Sequence, residues 1–359
     1  MKHLKNLLFL SASIVLIGIA CSKSSNNPQT SGNWVARFEM SGWPRSGAAA
    51  FVIGDTGYIA TGFNKSNDSS LSDLWQMSFD PQNSTNIFWT QKAFFPGHAR
   101  HSGVGFAIGS KGYVATGVDD LFTKYQDCYE YNPATNSWTQ KAPLPDNGNG
   151  TGSGARYNAV AFTIGNYGYV GTGNNGSWLN DFWKFDPSSN SWSSIGTVGY
   201  KREGAVVFTD PLDTAAYLVT GGNNGSVSTV NDFWRYSPAN GWQRLRNVTN
   251  TSTDNYDDDY TDIVREYAVA FVMPNNGVWK AYLTNGTNGS PIGKTWEYDF
   301  KTDLWTRKTP YEHTPGRINA VAWSFINLKR GFVGTGQSGN TSLDDIDEWF
   351  PAETYESTD

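Results

Sequence analysis

Residues 156–192 read RYNAVAFTIGNYGYVGTGNNGSWLNDFWKFDPSSNSW. Arg156 opens a run of small and apolar residues, Ala159-Val160-Ala161, that ends on Phe162. A Gly-bounded turn, Gly165 to Gly168, leads into a second strand, Tyr169-Val170-Gly171, closed by Thr172-Gly173. After a polar loop, Asp181 to Phe185 reads as a third strand. Asp186-Pro187-Ser188-Ser189-Asn190 is a tight turn, because proline's fixed φ suits its second position. Ser191-Trp192 begins a fourth strand. Four short strands joined by turn chemistry make an antiparallel sheet, and one such sheet cannot bury both faces alone.

The same order recurs six times. The opening arginines are Arg45, Arg100, Arg156, Arg202, Arg265 and Arg317, each followed six residues later by an aromatic: Phe51, Phe106, Phe162, Phe208, Phe271 and Trp323. Thr-Gly returns at Thr61, Thr116, Thr172, Thr220 and Thr335, while the fifth copy reads Thr284-Asn285-Gly286. Third-strand aromatics are expected at Trp75, Tyr129, Trp183, Trp234, Trp296 and Trp349, and fourth-strand tryptophans at Trp89, Trp138, Trp192, Trp242 and Trp305. A period of about 50 residues is that of a propeller blade.

This pattern resembles the kelch repeat, and the likeness spans nearly the whole chain after its start. Kelch units carry a glycine doublet after the second strand; here it is mostly Thr-Gly, and only Gly221-Gly222 shows two glycines. The resemblance implies an all-β, six-bladed propeller of four antiparallel strands per blade over residues 33–359. The sixth copy lacks a fourth-strand tryptophan, while Trp34 stands eleven residues before Arg45, the interval between Trp89 and Arg100. Residues 33–39 are therefore expected to complete the last blade and close the ring, which removes exposed edges.

Met1 to Ala20 reads as an export signal: Lys2 and Lys5, then a mostly apolar run too short to span a bilayer. It ends Gly18-Ile19-Ala20-Cys21, which resembles a bacterial lipoprotein signal with Cys21 as the lipidated residue. Residues 21–32 are polar and expected to act as a flexible tether. This implies an exported protein held to the outer membrane through its lipid alone, on the periplasmic side or at the cell surface. Loss of Lys2 and Lys5 takes the net charge from -6 to -8, which argues against nucleic acid as a partner. Cys128, the only other cysteine, is expected to be a buried filler.

In an antiparallel blade the second-to-third and interblade loops share one face. Those loops vary in length here, which marks the binding face of a repeat protein. The six arginines stand at that face. A ring of cations about 8 Å apart would repel by about 2 kcal/mol per pair. Either neighbours such as backbone carbonyls, Glu203, Glu266 and the Asp254–Asp259 cluster offset this, or an anionic ligand is held by bidentate contacts. Trp43 and Trp178 lie in loops of the same face and are candidates for stacking a sugar ring. The expected function is a non-catalytic binding module for a glycan or an exposed protein segment, with Arg45, Arg100, Arg156, Arg202, Arg265, Arg317, Trp43 and Trp178 as its ligand-binding residues. The alternative is a cofactor-independent carbohydrate epimerase or mutarotase. The bacterial sialic acid mutarotases are also six-bladed kelch proteins that work through acid and arginine groups, and Glu203 and Glu266 would serve here as general base.

No cofactor or metal is expected. Kelch propellers resemble galactose oxidase, but His98, His101 and His313 do not stand beside tyrosines as that copper site requires. The acidic stretch Asp254 to Asp262 lacks the spacing of an EF-hand, and whether it binds calcium stays open.

Overall fold

A computed structural model describes residues 31–146, 154–223, 230–249, 260, 262–312 and 316–358. The export signal, Cys21 and most of the tether lie outside the described residues, as do Asp254 to Asp259 and His313. The described chain is all-β and forms six four-stranded antiparallel sheets. The third blade shows the pattern, with strands Val160–Ile164, Tyr167–Gly171, Leu179–Asp186 and Ser191–Arg202. The innermost strands of successive blades touch around a central axis.

The first strand of a blade alternates buried and half-buried residues, as in Val104–Ile108 and Val160–Ile164, while the second is buried along nearly its whole length, as in Lys111–Ala115 and Tyr167–Gly171. On the inner pair, Phe51 stacks on Tyr58, Phe106 on Tyr113 and Phe162 on Tyr169, at 4.7–5.1 Å between ring centroids. These rings also bind blade to blade. A β-carbon on Gly168 would meet the Phe106 ring of the preceding blade at 2.3 Å, so glycine makes the close approach possible there. Fourth-strand tryptophans reach back in the same direction: the Trp138 indole N–H donates to the Ala93 carbonyl and that of Trp192 to Ala142, both at 2.9 Å.

The last blade joins Val321–Phe325, Arg330–Gly334 and Ile346–Phe350 to the N-terminal strand Asn33–Arg37. The expected closure is present, with Trp34 opposite Trp349. The register repeats that of the other blades, where Trp89 faces Met77, Trp138 faces Tyr131 and Trp192 faces Phe185. Trp34 is fully buried and packs 4.8 Å from both Trp349 and Tyr311. One detail differs from the sequence reading. Val333 faces Asp347 where Ile59 faces Trp75 and Val170 faces Trp183. Asp347 thus holds the sixth third-strand aromatic position and Trp349 lies two residues beyond it. The buried Asp347 is satisfied by a hydrogen bond from the Tyr311 hydroxyl.

Candidate functional site at the propeller mouth

All six arginines are fully buried. Five form ion pairs with an aspartate at the start of their own third strand. Arg45 holds Asp73 through two bonds of 2.6 and 2.8 Å, and Arg156 holds Asp181 through two of 2.8 Å. Arg100 pairs with Asp127, Arg202 with Asp232 and Arg317 with Asp345. The indole N–H groups of Trp75, Trp183 and Trp234 complete three of these carboxylates at 2.6–2.7 Å. Burial would raise the Asp73 and Asp181 carboxyls, but the arginine and tryptophan donors outweigh it and hold them below the usual range. Lys294 replaces the aspartate in blade five, and Arg265 donates to the Asn285, Lys294 and Asp262 carbonyls instead.

The guanidiniums also organise the Thr-Gly corner. Each gives a hydrogen bond to the carbonyl of Thr61, Thr116, Thr172, Thr220, Asn285 or Thr335, at 2.8–3.1 Å. Those residues all lie at φ between 57° and 63°, a left-handed conformation costly for a β-branched side chain. The Thr-Gly step is a strained corner held by arginine. Of the two ways to offset six cations at the mouth, the structure shows the local one: five arginines are ion-paired within their own blades and Arg265 is met by carbonyls, all buried beneath the loop face. A residue type repeated in every blade is meeting a need repeated in every blade.

Two closed rings of backbone hydrogen bonds join the blades at this level. The glycine N–H of each Thr-Gly or Asn-Gly corner donates to the next blade's arginine carbonyl: Gly62 to Arg100, Gly117 to Arg156, Gly173 to Arg202, Gly221 to Arg265, Gly286 to Arg317 and Gly336 to Arg45. The second ring runs the other way. Ser102 donates to Gly47, Asn158 to Ser102, Gly204 to Asn158, Tyr267 to Gly204, Asn319 to Tyr267 and Gly47 to Asn319, at 2.6–3.1 Å. All six of these residues have φ of 51–61°. They encircle a void of about 100 Å³ on the axis.

Above the rings, the residue after each arginine pairs with the one after each corner glycine, as Glu203 does with Gly222 and Glu266 with Thr287. This places Ser46, His101, Tyr157, Glu203, Glu266 and Ile318 around the mouth. Glu203 is 9 % exposed and accepts from Asn158 (2.8 Å), Asn174 (3.0 Å) and the Trp178 indole (3.1 Å). Trp178 is thus fixed in the wall, with its N–H on Glu203. Glu266 is half-buried, and burial together with the Glu203 charge raises its carboxyl above the ordinary value. The Tyr267 ring covers Gly204, where a β-carbon would stand 2.7 Å from it. Burial and the charges of Glu203 and Glu266 push its hydroxyl up, and Tyr157 is raised by burial and by Glu203. Across the mouth, His101 Nδ1 lies 2.9 Å from the Ser102 hydroxyl, and burial lowers its pKa against the pull of Asp120 and Asp119.

Of the residues expected at a site, the structure brings Glu203, Glu266 and Trp178 together, joined by Tyr157, Tyr267, Asn158 and Asn174. Trp43 lies apart on the flank of blade one and is 59 % exposed. Among the described residues no group of three or more His, Cys, Asp or Glu is arranged to hold a metal. Cys128 is buried within its strand, and burial pushes its thiol well up, so it is not a nucleophile.

Fold and mouth define a six-bladed propeller with an acid- and tyrosine-lined bowl on its loop face. The chain belongs to the kelch-repeat family: the family model described as the KLHDC2/KLHL20/DRC7 Kelch-repeats domain matches residues 47–256. It is 33% identical over 139 residues to the N-acetylneuraminate epimerase of Pasteurella multocida (strain Pm70), a match covering 37% of this chain and 32% of that protein. The solved structure of YjhT superposes with a TM-score of 0.65 at 17% identity, covering 86% of this chain and 95% of the other.

Proposed function

We propose that the mouth is a cofactor-independent carbohydrate mutarotase or epimerase site, with Glu203 and Glu266 as its acid–base pair. The observation that carries this reading is the unequal environment of two neighbouring carboxyls: Glu203 is an acceptor of three hydrogen bonds, whereas Glu266 is raised by burial and by the Glu203 charge. A carboxylate already placed as an acceptor beside a carboxyl that holds its proton more tightly divides the base and acid roles between them. In anomerisation Glu203 takes the proton from the anomeric hydroxyl while Glu266 gives one to the ring oxygen. The C1–O bond of the ring breaks, the C1 carbonyl forms, and ring closure on the other carbonyl face reverses both transfers. The tyrosine hydroxyls of Tyr157 and Tyr267 supply donors to the sugar.

The relative's name points to an acidic sugar, but this mouth offers two carboxyls and arginines already paired or bonded behind the face. A neutral or amino sugar suits it better. NMR exchange spectroscopy on glucose, galactose, glucosamine, glucuronate and N-acetylneuraminate tests both points. Exchange above the buffer rate that is lost in Glu266→Gln supports the reading; buffer-level exchange with all five sugars ends it.

The binding-module reading keeps the same bowl without turnover, and its support is the wall of fixed polar groups around Glu203. Sugar binding with no exchange would select it. Either activity is proposed to act outside the cell membrane, tethered through lipid on Cys21. Replacing Cys21 with serine should move the protein from the membrane fraction to the soluble one.

A further inference from the structure

A second concavity stands on the flank of blade one, away from the mouth. A cleft of about 480 Å³ lies between the loop entering this blade, with Trp43, and the loop leaving it, with Phe94; Ser70, Ser72, Asp73, Trp75 and Gln91 form its floor and side. Its volume falls in the range of about 300–1,000 Å³ typical of small-molecule sites. Trp43 and Phe94 are each 59 % exposed.

The repeats act as internal controls for these two rings. The Phe95 N–H donates to the Ser72 carbonyl, and the same bond in other blades is made by Leu144, Val248, Tyr311 and Met40. All five are buried apolar residues, so that position serves the fold. The residue before it is Phe94 here but Pro143, Asn247, Pro310 and Glu39 elsewhere. The Trp43 position, two before the arginine, carries His98, Gly154, Tyr200 and Ile263 in other described blades. Blade one is the only described blade with an aromatic at both positions. The blade architecture requires neither ring.

The floor is polar yet electrically neutral. Asp73 has both oxygens on Arg45, and the Trp75 indole N–H completes it. A β-carbon on Gly42 would meet Trp75 Nε1 at 2.6 Å, so glycine lets the loop lie directly against this floor. Next to the cleft, the Asp120 carboxylate accepts from the N–H and hydroxyl of Ser70 and ties down the neighbouring loop. From two exposed aromatic rings, hydroxyl and amide groups between them and no unpaired charge among the lining residues, we infer that this cleft binds an uncharged pyranose unit of a glycan. The apolar C–H faces of the sugar would pack on Trp43 and Phe94, as amphipathic aromatics do at interfaces. Its hydroxyls would reach Ser72 and Gln91.

The experiment titrates the protein with cello-, xylo-, manno-, laminari- and chito-hexaose, following calorimetry and tryptophan fluorescence. Oligogalacturonate and a Gly/Ser peptide are the charged and protein arms. At least one neutral hexaose is expected to bind, with affinity falling tenfold or more in Trp43→Ala and in Phe94→Ala, while melting temperature holds and sugar exchange at the mouth is unchanged. Glu266→Gln should leave this binding intact, which separates it from the mouth. No binding by any neutral hexaose, binding indifferent to both substitutions, or preference for oligogalacturonate or the peptide would each overturn the inference.

Discussion

The carboxylate of Glu266 rests on the backbone of Gly222, where a β-carbon would stand 1.9 Å from Oε2. Gly222 is the second glycine of the one true doublet in the sequence, and its neighbour across the bridge is Glu203. The clashing atom is the end of a flexible side chain, so Gly222→Ala should fold with little loss of stability and push Glu266 out of place. Sugar exchange is expected to fall at least tenfold while the melting temperature moves by only a few degrees. A mutant with unchanged exchange would remove Glu266 from the proposed chemistry.

Glu266 also predicts a pH signature. Its folded pKa is raised, by burial first and by Glu203 second. As pH climbs past about 4.5 the unfolded chain loses this proton before the native one does, so native stability declines until the folded group ionises too. Glu266→Gln should flatten that decline, and denaturant titrations at pH 4 and pH 8 will compare the two slopes. In the wild type the same ionisation removes the proton donor, so exchange should fall on the alkaline side of the folded pKa.

The Arg–Asp pairs should behave in the opposite sense. Asp181 is held below its usual range, so the stability it contributes is present above pH 3.8 and is lost as pH falls through the lower, folded value. Asp181→Ala leaves Arg156 buried without a counter-charge and the Trp183 N–H without an acceptor. A loss of about 3–5 kcal/mol is expected at pH 7. A smaller difference between mutant and wild type at pH 3 would complete the pattern, measured by urea unfolding.

Ring closure can be tested from the N-terminus. A chain beginning at Gly42 loses Trp34 and the strand that pairs with Ile346–Phe350, whereas one beginning at Asn33 keeps both. The shorter chain should unfold earlier and with weaker cooperativity. Trp34→Ala in the longer chain should cost about 3–5 kcal/mol through the cavity it leaves. Equal melting temperatures for the two truncations would contradict the closure described here.

The blades were legible because each repeats the same side chains at the same spacing, and Trp34 betrayed the closing strand by its residue type and its interval from Arg45. The pairing of the arginines was legible too: Asp73, Asp127, Asp181, Asp232 and Asp345 recur in the sequence at the start of the third strand. It was missed because acidic partners were sought beside each arginine in the chain, whereas the bonds span 25–30 residues. The inner ring left no such trace. Gly47, Ser102, Asn158, Gly204, Tyr267 and Asn319 share a backbone conformation and no side-chain chemistry, so no pattern of residue types marks them. Glu203 and Glu266 were found by position after an arginine, but their different surroundings depend on Asn158, Asn174 and Gly222 from separate loops.

The inner ring of hydrogen bonds also narrows the way along the axis. At its level the axis has about 100 Å³ of free space, narrowed by the Tyr267, Asn158 and Asn319 positions. Farther along the axis the space widens to about 340 Å³ between the first strands, so the ring is its waist. On the reading proposed above, a ligand held at the mouth would sit over this waist and leave most readily by the opening through which it came. On that reading it would meet free sugars or chain ends one at a time.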